Sequence, residues 1–489
     1  MKKTVRIIGV FVFLSIVGTL SFVLYRSYHY LESDQYFAEN VIPADALFIL
    51  KSKQTQQMLE NRSGSLLFSP KNWDKVHLLA EKINQSDFKS LLNHSSLCLS
   101  VHAGNEEELL FVLETSKAEN KSLSLFGKYL RGKYAAKTFD YKNHTIDVLD
   151  IKGNLFYSWT QQGVFLMASS EGLMRSAVNQ FHENKTVSSV VDFSFHAKNK
   201  NTNLSLYIQY PYFLPYLRKK IRQADGDVGV IALLEPNLWS VFDVEMKNEC
   251  ILLSGYTTIN PQSQYATLYF HANNNTDFQK MLPLTANRIF SFSAENAEQM
   301  SRLQAVFRSE EDFFSLMYPT QVITFEATND TANYTYLMLH SDNVEEASFH
   351  LYQSLESSFD SNQYLLDVSY IGSFMVGHIR LSNFVLAKFG INRQLTNPAY
   401  YTLHKDYIVF SDNKDAICYY INSMRQHDVY TKSSAYKALK AFSSNKSNLF
   451  YRIDFDIFPH NQKAMPVNGL LFQTYPQSDS VCLTNIVIR

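Results

Sequence analysis

YSWTQQGVFLMASSEGLMRSAVNQF, residues 157–181, and YTLHKDYIVFSDNKDAICYYINSM, residues 401–424, carry one pattern written twice. Each reads as an aromatic strand, a tight turn, a second strand, a Ser/Asp cap and an amphipathic helix. Working outward, the pattern extends in both directions. Upstream, Ile42-Pro43, Leu47-Phe48-Ile49-Leu50 and Gln57-Met58 precede the first copy. Leu282-Pro283, Ile289-Phe290-Ser291-Phe292 and Gln299-Met300 precede the second. Downstream, NLSLYIQYPYF (203–213) parallels NLFYRIDFDIF (448–458), and Cys250 in ECILLSGYT parallels Cys482 in VCLTNIVIR. Matches in one fixed order indicate an internal duplication, with unit one at 41–260, a connector at 261–280 and unit two at 281–489. The polar run Asn273-Asn274-Asn275-Thr276-Asp277 falls in that connector and reads as a turn.

Within unit one, ALFILK, SLCLSVHA, ELLFVLET, HTIDVLDI, NLFYSW, VFLMAS, NLSLYIQY, WSVFDVEM and CILLSGYTT all read as strands, many separated by only a few residues. That spacing suits antiparallel meanders. Helical periodicity appears at 72–83, where Trp73, Val76, Leu79 and Ile83 share a face, and at 171–181. Unit two repeats the mixture, with helices expected at 294–307 and 433–442. Strand runs interrupted by a few helices predict an α+β fold of mainly antiparallel sheet.

Residues 7–25, from Ile7 to Tyr25, contain no charged side chain and follow Lys2, Lys3 and Arg6. A helix of that length rises roughly 28 Å at about 1.5 Å per residue, close to a bilayer's hydrocarbon thickness. The expectation is a cytoplasmic tip at 1–6, a transmembrane helix at 7–25 and a juxtamembrane linker at 26–40. The basic bias places the N-terminus in the cytoplasm and the remainder outside it. A cleavable signal fits less well, because the apolar run is long and no alanine precedes Ala38. Lipoprotein processing is excluded by the first cysteine lying at Cys98.

The segment Ile42-Pro43-Ala44-Asp45-Ala46-Leu47-Phe48 carries a resemblance. Together with the anchor and strand-rich layout, it resembles a family of single-pass, envelope-anchored proteins of Gram-negative bacteria that has no assigned activity. The resemblance implies a bacterial inner-membrane location with a periplasmic ectodomain, and it supplies no site residues. The second copy lacks the Ala-Asp after its proline.

Four basic and no acidic side chains fall in the first 30 residues, leaving 41 basic against 46 acidic ones beyond them. A net charge of −5 there is no footprint for nucleic acid. Cys98, Cys250, Cys418 and Cys482 each sit in an apolar run without a C-x-x-C partner, so free core thiols are expected and no metal site. Asp225-Gly226-Asp227 fails as a calcium loop, since Val230 and Pro236 stand where glycine and glutamate are needed. Asn413-Lys414-Asp415 reads as a helix start. The basic clusters Lys128/Arg131/Lys133/Lys137 and Arg218/Lys219/Lys220/Arg222 read as solvated helix faces, and no two histidines stand at i, i+4.

No catalytic residue, cofactor or metal ligand is assigned. The reading is a non-catalytic ectodomain that binds a protein, lipid or glycan partner. The alternative is an envelope hydrolase with a site where the two units meet. Binding predicts an exposed aromatic or apolar patch, and Tyr210 and Tyr212, in an expected aromatic turn (Tyr210-Pro211-Tyr212-Phe213), are the candidates.

Overall fold

The computed structural model describes residues 37–55, 58, 70–84, 88–104, 107–161, 163–190, 203–223, 234–247, 250–263, 266–269, 274–293, 319–329, 332–349, 365–379, 399–454, 469–478 and 480–488. Two compact units divide between Leu204 and Ser205.

In the first unit, strands β1 (Ala46–Ser52), β2 (Ser95–Ala103), β3 (Glu107–Thr115), β4 (Ala135–Tyr141), β5 (His144–Ile151), β6 (Asn154–Gln161) and β7 (Val164–Ala168) pair antiparallel in the order β4-β5-β6-β7-β3-β2-β1. β7 is buried at all five positions, as expected for a central strand. Helices α1 (Pro70–Asn84), α2 (Lys89–Asn93), α3 (Asn120–Tyr134) and α4 (Glu171–His182) connect them. α3 buries Leu123, Phe126 and Leu130 at helical spacing, and the Phe126 ring meets Phe165 edge-on at 5.1 Å. α4 starts where Ser170 Oγ accepts the Leu173 N–H at 3.0 Å, and it buries Leu173, Met174, Ala177 and Val178.

The second unit holds β8 (Leu204–Gln209), α5 (Tyr210–Gln223), β9 (Asn237–Lys247), β10 (Cys250–Ile259), β11 (Ala286–Ser293), β12 (Gln321–Thr328), β13 (Asn333–His340), β14 (Leu365–Ile371), β15 (Phe374–Ile379), β16 (Tyr400–His404), β17 (Tyr407–Ser411), α6 (Lys414–Arg425), α7 (Ser434–Lys440), β18 (Leu449–Asp454), β19 (Gly469–Ser478) and β20 (Val481–Ile488). Its antiparallel order is β8-β9-β10-β20-β19-β18-β11-β12-β13-β17-β16-β15-β14. The run β14-β15-β16-β17-β13-β12-β11 repeats the strand succession of the first unit. The three strands β8-β9-β10 and β18-β19-β20 likewise correspond, and they join through β10 and β20, with Thr257 opposite Cys482. Both faces of this sheet are buried. Phe290, Leu337, Tyr401 and Phe410 occupy one, and Phe325, Tyr336, Ile417 and Tyr420 the other.

The Ile42-Pro43 and Leu282-Pro283 openings do the same structural work in each repeat. Pro43 bridges Thr186, and Pro283 bridges Val429. The carbonyls of Ile42 and Leu282 accept the N–H groups of Val187 and Tyr430, each at 2.9 Å. These contacts clamp the chain entering β1 or β11 to the segment leaving α4 or α6.

The expectation of an α+β fold led by a transmembrane helix is corrected to a mainly antiparallel β architecture. Among the described residues, no helix is long and apolar enough to cross a membrane. The longest, α1 and α3, have 15 residues each and would rise only about 22 Å. Central strands such as β7 and β11 are buried along their whole length, and the described helices are short covers over sheet faces. The 1–6 tip, the 7–25 span and linker residues 26–36 lie outside the described residues. The inner-membrane location is therefore corrected as well, since none of the described helices can serve as its anchor. The expected helix at 294–307 and the Asp225-Gly226-Asp227 turn also fall outside them. Tyr210-Pro211-Tyr212-Phe213 is not a turn but the start of α5. A proline there is tolerated because a helix's first N–H groups have no intrahelical partner.

Candidate functional site

The four thiols are free, with Cys98 and Cys482 buried. Cys482 stands opposite Thr257, seven residues along β10 from Cys250, so the matched cysteines are roughly 24 Å apart along the strands and out of bridging range. Among the described residues, no group of three or more His, Cys, Asp or Glu side chains is placed to hold a metal.

One polar constellation has the order of a hydrolytic triad. Strand alternation puts Ser100 and His102 on one face of β2, and the register brings His102 opposite Ala46, beside Asp45. His102 Nδ1 lies 3.1 Å from Asp45 Oδ1, and His102 Nε2 lies 3.0 Å from Ser100 Oγ. The bond to His102 holds the Asp45 carboxyl below its ordinary pKa. A nucleophile must meet its substrate, however, and Ser100 is 0% exposed while His102 is 2% exposed. At the corresponding positions of the second repeat stand Thr285 and Ala327, where Ala286 pairs with Ala327. Asp45 belongs to the opening motif read from sequence, but its partner 57 residues away leaves no sequence signal.

A second, partly buried set surrounds Lys51. Its ammonium bonds Glu39 and lies 3.8 Å from Glu114, which also accepts the Ala38 N–H at 3.0 Å. Burial pushes the Glu114 carboxyl up. Burial also works against the Lys51 ammonium, but its neighbours outweigh that and raise its pKa. The Cys98 thiol opposite Lys51 is held protonated by burial, so the two carboxylates carry the stabilisation. These groups satisfy one another and offer nothing to a substrate.

The sequence candidates separate. Tyr210 is buried, and its hydroxyl accepts from Ser240 Oγ at 3.0 Å. Ser240 Oγ is 2.7 Å from Thr257 Oγ1, to which Thr484 Oγ1 donates at 2.8 Å. Tyr210 therefore ends a buried hydroxyl chain crossing β9, β10 and β20, and burial pushes its phenol up to about 12. Tyr212, one residue past the proline, is 42% exposed. Of the basic clusters, Arg131 lies 2.7 Å from the carboxylate of Asp147, and Arg218 bonds Glu235.

The most exposed large apolar residue in the described chain is one the sequence reading passed over. Tyr370 on β14 is 70% exposed, and Val368, two residues earlier on the same strand face, is 39% exposed. Their partners on β15 are Met375 and Gly377. The Tyr401 ring lies over Gly377, so close that an added Cβ would meet Tyr401 Cε1 at 2.1 Å. Met375, Tyr401 and Ile379 belong to one buried apolar face of the sheet. Val368 and Tyr370 thus continue a core face onto a strand where it is uncovered. The β4–β5 hairpin of the first repeat places Tyr141 opposite His144, as β14–β15 places Ile371 opposite Phe374. By that register the counterparts of Val368 and Tyr370 are Thr138 and Asp140, and Asp140 accepts a 2.9 Å bond from Thr145.

A third constellation joins two histidines 38 residues apart. His144 Nε2 and His182 Nε2 are 3.0 Å apart on an exposed face, with the Trp159 ring 4.8 Å from His144.

No protein-family model and no curated protein matches this chain. Among solved structures, crystal form I of TP0453 is similar at a TM-score of 0.27 and 9% identity, covering 45% of this chain and 77% of that one. Crystal form IV gives 0.26 and 10%, covering 45% and 81%. These likenesses are too weak to assign a fold or an activity.

Proposed function

We propose that this protein acts by binding a protein partner rather than by catalysis, and that the β14–β15 hairpin is part of its contact surface. The observation that carries the reading is Tyr370, 70% exposed beside Val368 on a strand face otherwise devoted to the core. The fold does not demand apolar residues there, because the equivalent hairpin of the first repeat carries Thr138 and Asp140 in their place. Exposed aromatics continuous with an apolar face are the composition of interface centres. Among the described residues the hydrolase alternative can draw on Asp45–His102–Ser100, and the full burial of Ser100 argues against it.

The test is a Val368→Ser/Tyr370→Ser variant. It should keep the wild-type melting behaviour and lose its protein crosslinks in cells. A lowered melting temperature with crosslinks intact refutes the assignment of these residues, as does transfer of the crosslinks to lipid or glycan alone.

A further inference from the structure

The His144–His182 pair takes no part in the binding surface proposed above, and the fold does not require it. α4 and α6 are both 12 residues long with side-chain-capped starts, so His182 corresponds to Arg425, the last residue of each helix. His144 and Phe374 each open the second strand of the matching hairpins. In the second repeat the Arg425 guanidinium approaches the turn at Gly372. The same scaffold therefore folds with an arginine and a phenylalanine where the first repeat has two imidazoles.

We propose that His144 and His182 together hold a divalent transition-metal ion of the Cu(II) class through their Nε2 atoms. The Nε2···Nε2 separation is 3.0 Å. With metal–nitrogen bonds of roughly 2.0–2.1 Å, that separation subtends about 90–97° at the metal. A tetrahedral ion needs about 3.3–3.4 Å between ligands, whereas cis positions of a square-planar or tetragonal ion need about 2.9 Å. The bite therefore selects Cu(II) or Ni(II) over Zn(II), and the Irving–Williams order ranks Cu(II) first.

Both rings are held from behind. Trp159 packs on His144 at 4.8 Å and on Phe181 at 5.5 Å, and Phe181 meets His182 at 5.6 Å. Tyr141 donates to Asn179 Oδ1 at 2.8 Å, tying the β4 end of the hairpin to α4. Without metal, one ring donates its Nε2–H to the other. Binding needs both Nε2 lone pairs, so the ring that donates in the metal-free pair takes the Nδ1–H tautomer instead. Water fills the remaining positions on the exposed side.

The test uses the purified full chain and Cu(II) alone, followed by calorimetry and tryptophan emission. Trp159 is one of three tryptophans, and bound Cu(II) beside it should quench its share of the signal. Wild type should bind one more ion than either His144→Ala or His182→Ala, with affinity at this site falling at least tenfold in each. Trp159→Phe should keep the calorimetric binding and lose the quenching. Circular dichroism on each variant confirms that the fold persists. Equal binding by wild type and both histidine variants, or no saturable binding by wild type, overturns the proposal.

Discussion

Thr257→Val cuts the hydroxyl chain that crosses the joined tails of the two repeats. Thr257, Ser240 and Thr484 are each 0% exposed, so water cannot replace a lost partner. The direction of the chain follows from its ends. Thr484 donates to Thr257, and Ser240 spends its proton on Tyr210, so Thr257 must donate to Ser240. Valine keeps the shape of threonine and opens no cavity. It strands the Thr484 hydroxyl without an acceptor, at about 1–3 kcal/mol, and removes one donor from Ser240, at about 0.5–1.5 kcal/mol. The expected net loss is about 1.5–4.5 kcal/mol. Thr484→Val should cost less, about 0.5–1.5 kcal/mol, because Thr257 still donates to Ser240. Urea unfolding followed by tryptophan emission suits the measurement, since Trp239 on β9 sits opposite Thr258. A loss below about 0.5 kcal/mol for Thr257→Val, or a larger loss for Thr484→Val, would refute the chain's assigned direction and its contribution.

Gly377→Ala should destabilise the second unit by about 1–3 kcal/mol, because its Cβ would sit 2.1 Å from the buried Tyr401 ring. A wild-type urea midpoint for this variant would contradict the packing. Asp45→Asn tests the pairing of the half-exposed Asp45 with His102 through pH. The folded pKa of Asp45 lies below its ordinary 3.8, so the pairing with His102 stabilises the protein above that pH and is lost as pH falls through the folded value. The stability gap between wild type and Asp45→Asn should therefore be open at pH 6 and shrink below about pH 4, near the ordinary aspartate range, whereas a gap that widens on acidification reverses the sign.

The strands were largely legible because their signal is local. VFLMA and SLCLSVHA announce buried strands by composition alone, and both became central. β4 escaped notice because AAKTFDY, an exposed and partly charged edge, lacks the alternation a half-buried strand shows. The start of α5 carries an ambiguous signal, because proline followed by aromatics suits a turn as well as a helix N-terminus. What sequence could not reach was pairing at a distance. Asp45 meets His102 across 57 residues, and His144 meets His182 across 38. Tyr210 was singled out for its aromatic context, yet that context resolves into a core role, while Tyr370 gains its significance only from the uncovered strand it occupies.

The contact surface proposed for this protein centres on Tyr370. A photo-reactive phenylalanine derivative placed at position 370 in intact cells tests it most directly, with the same probe at Asp342, whose side chain is 81% exposed, as the control. A discrete protein adduct is expected at 370, absent at 342 and competed away by excess unmodified protein. Equal labelling at both positions, or none at 370, would contradict it.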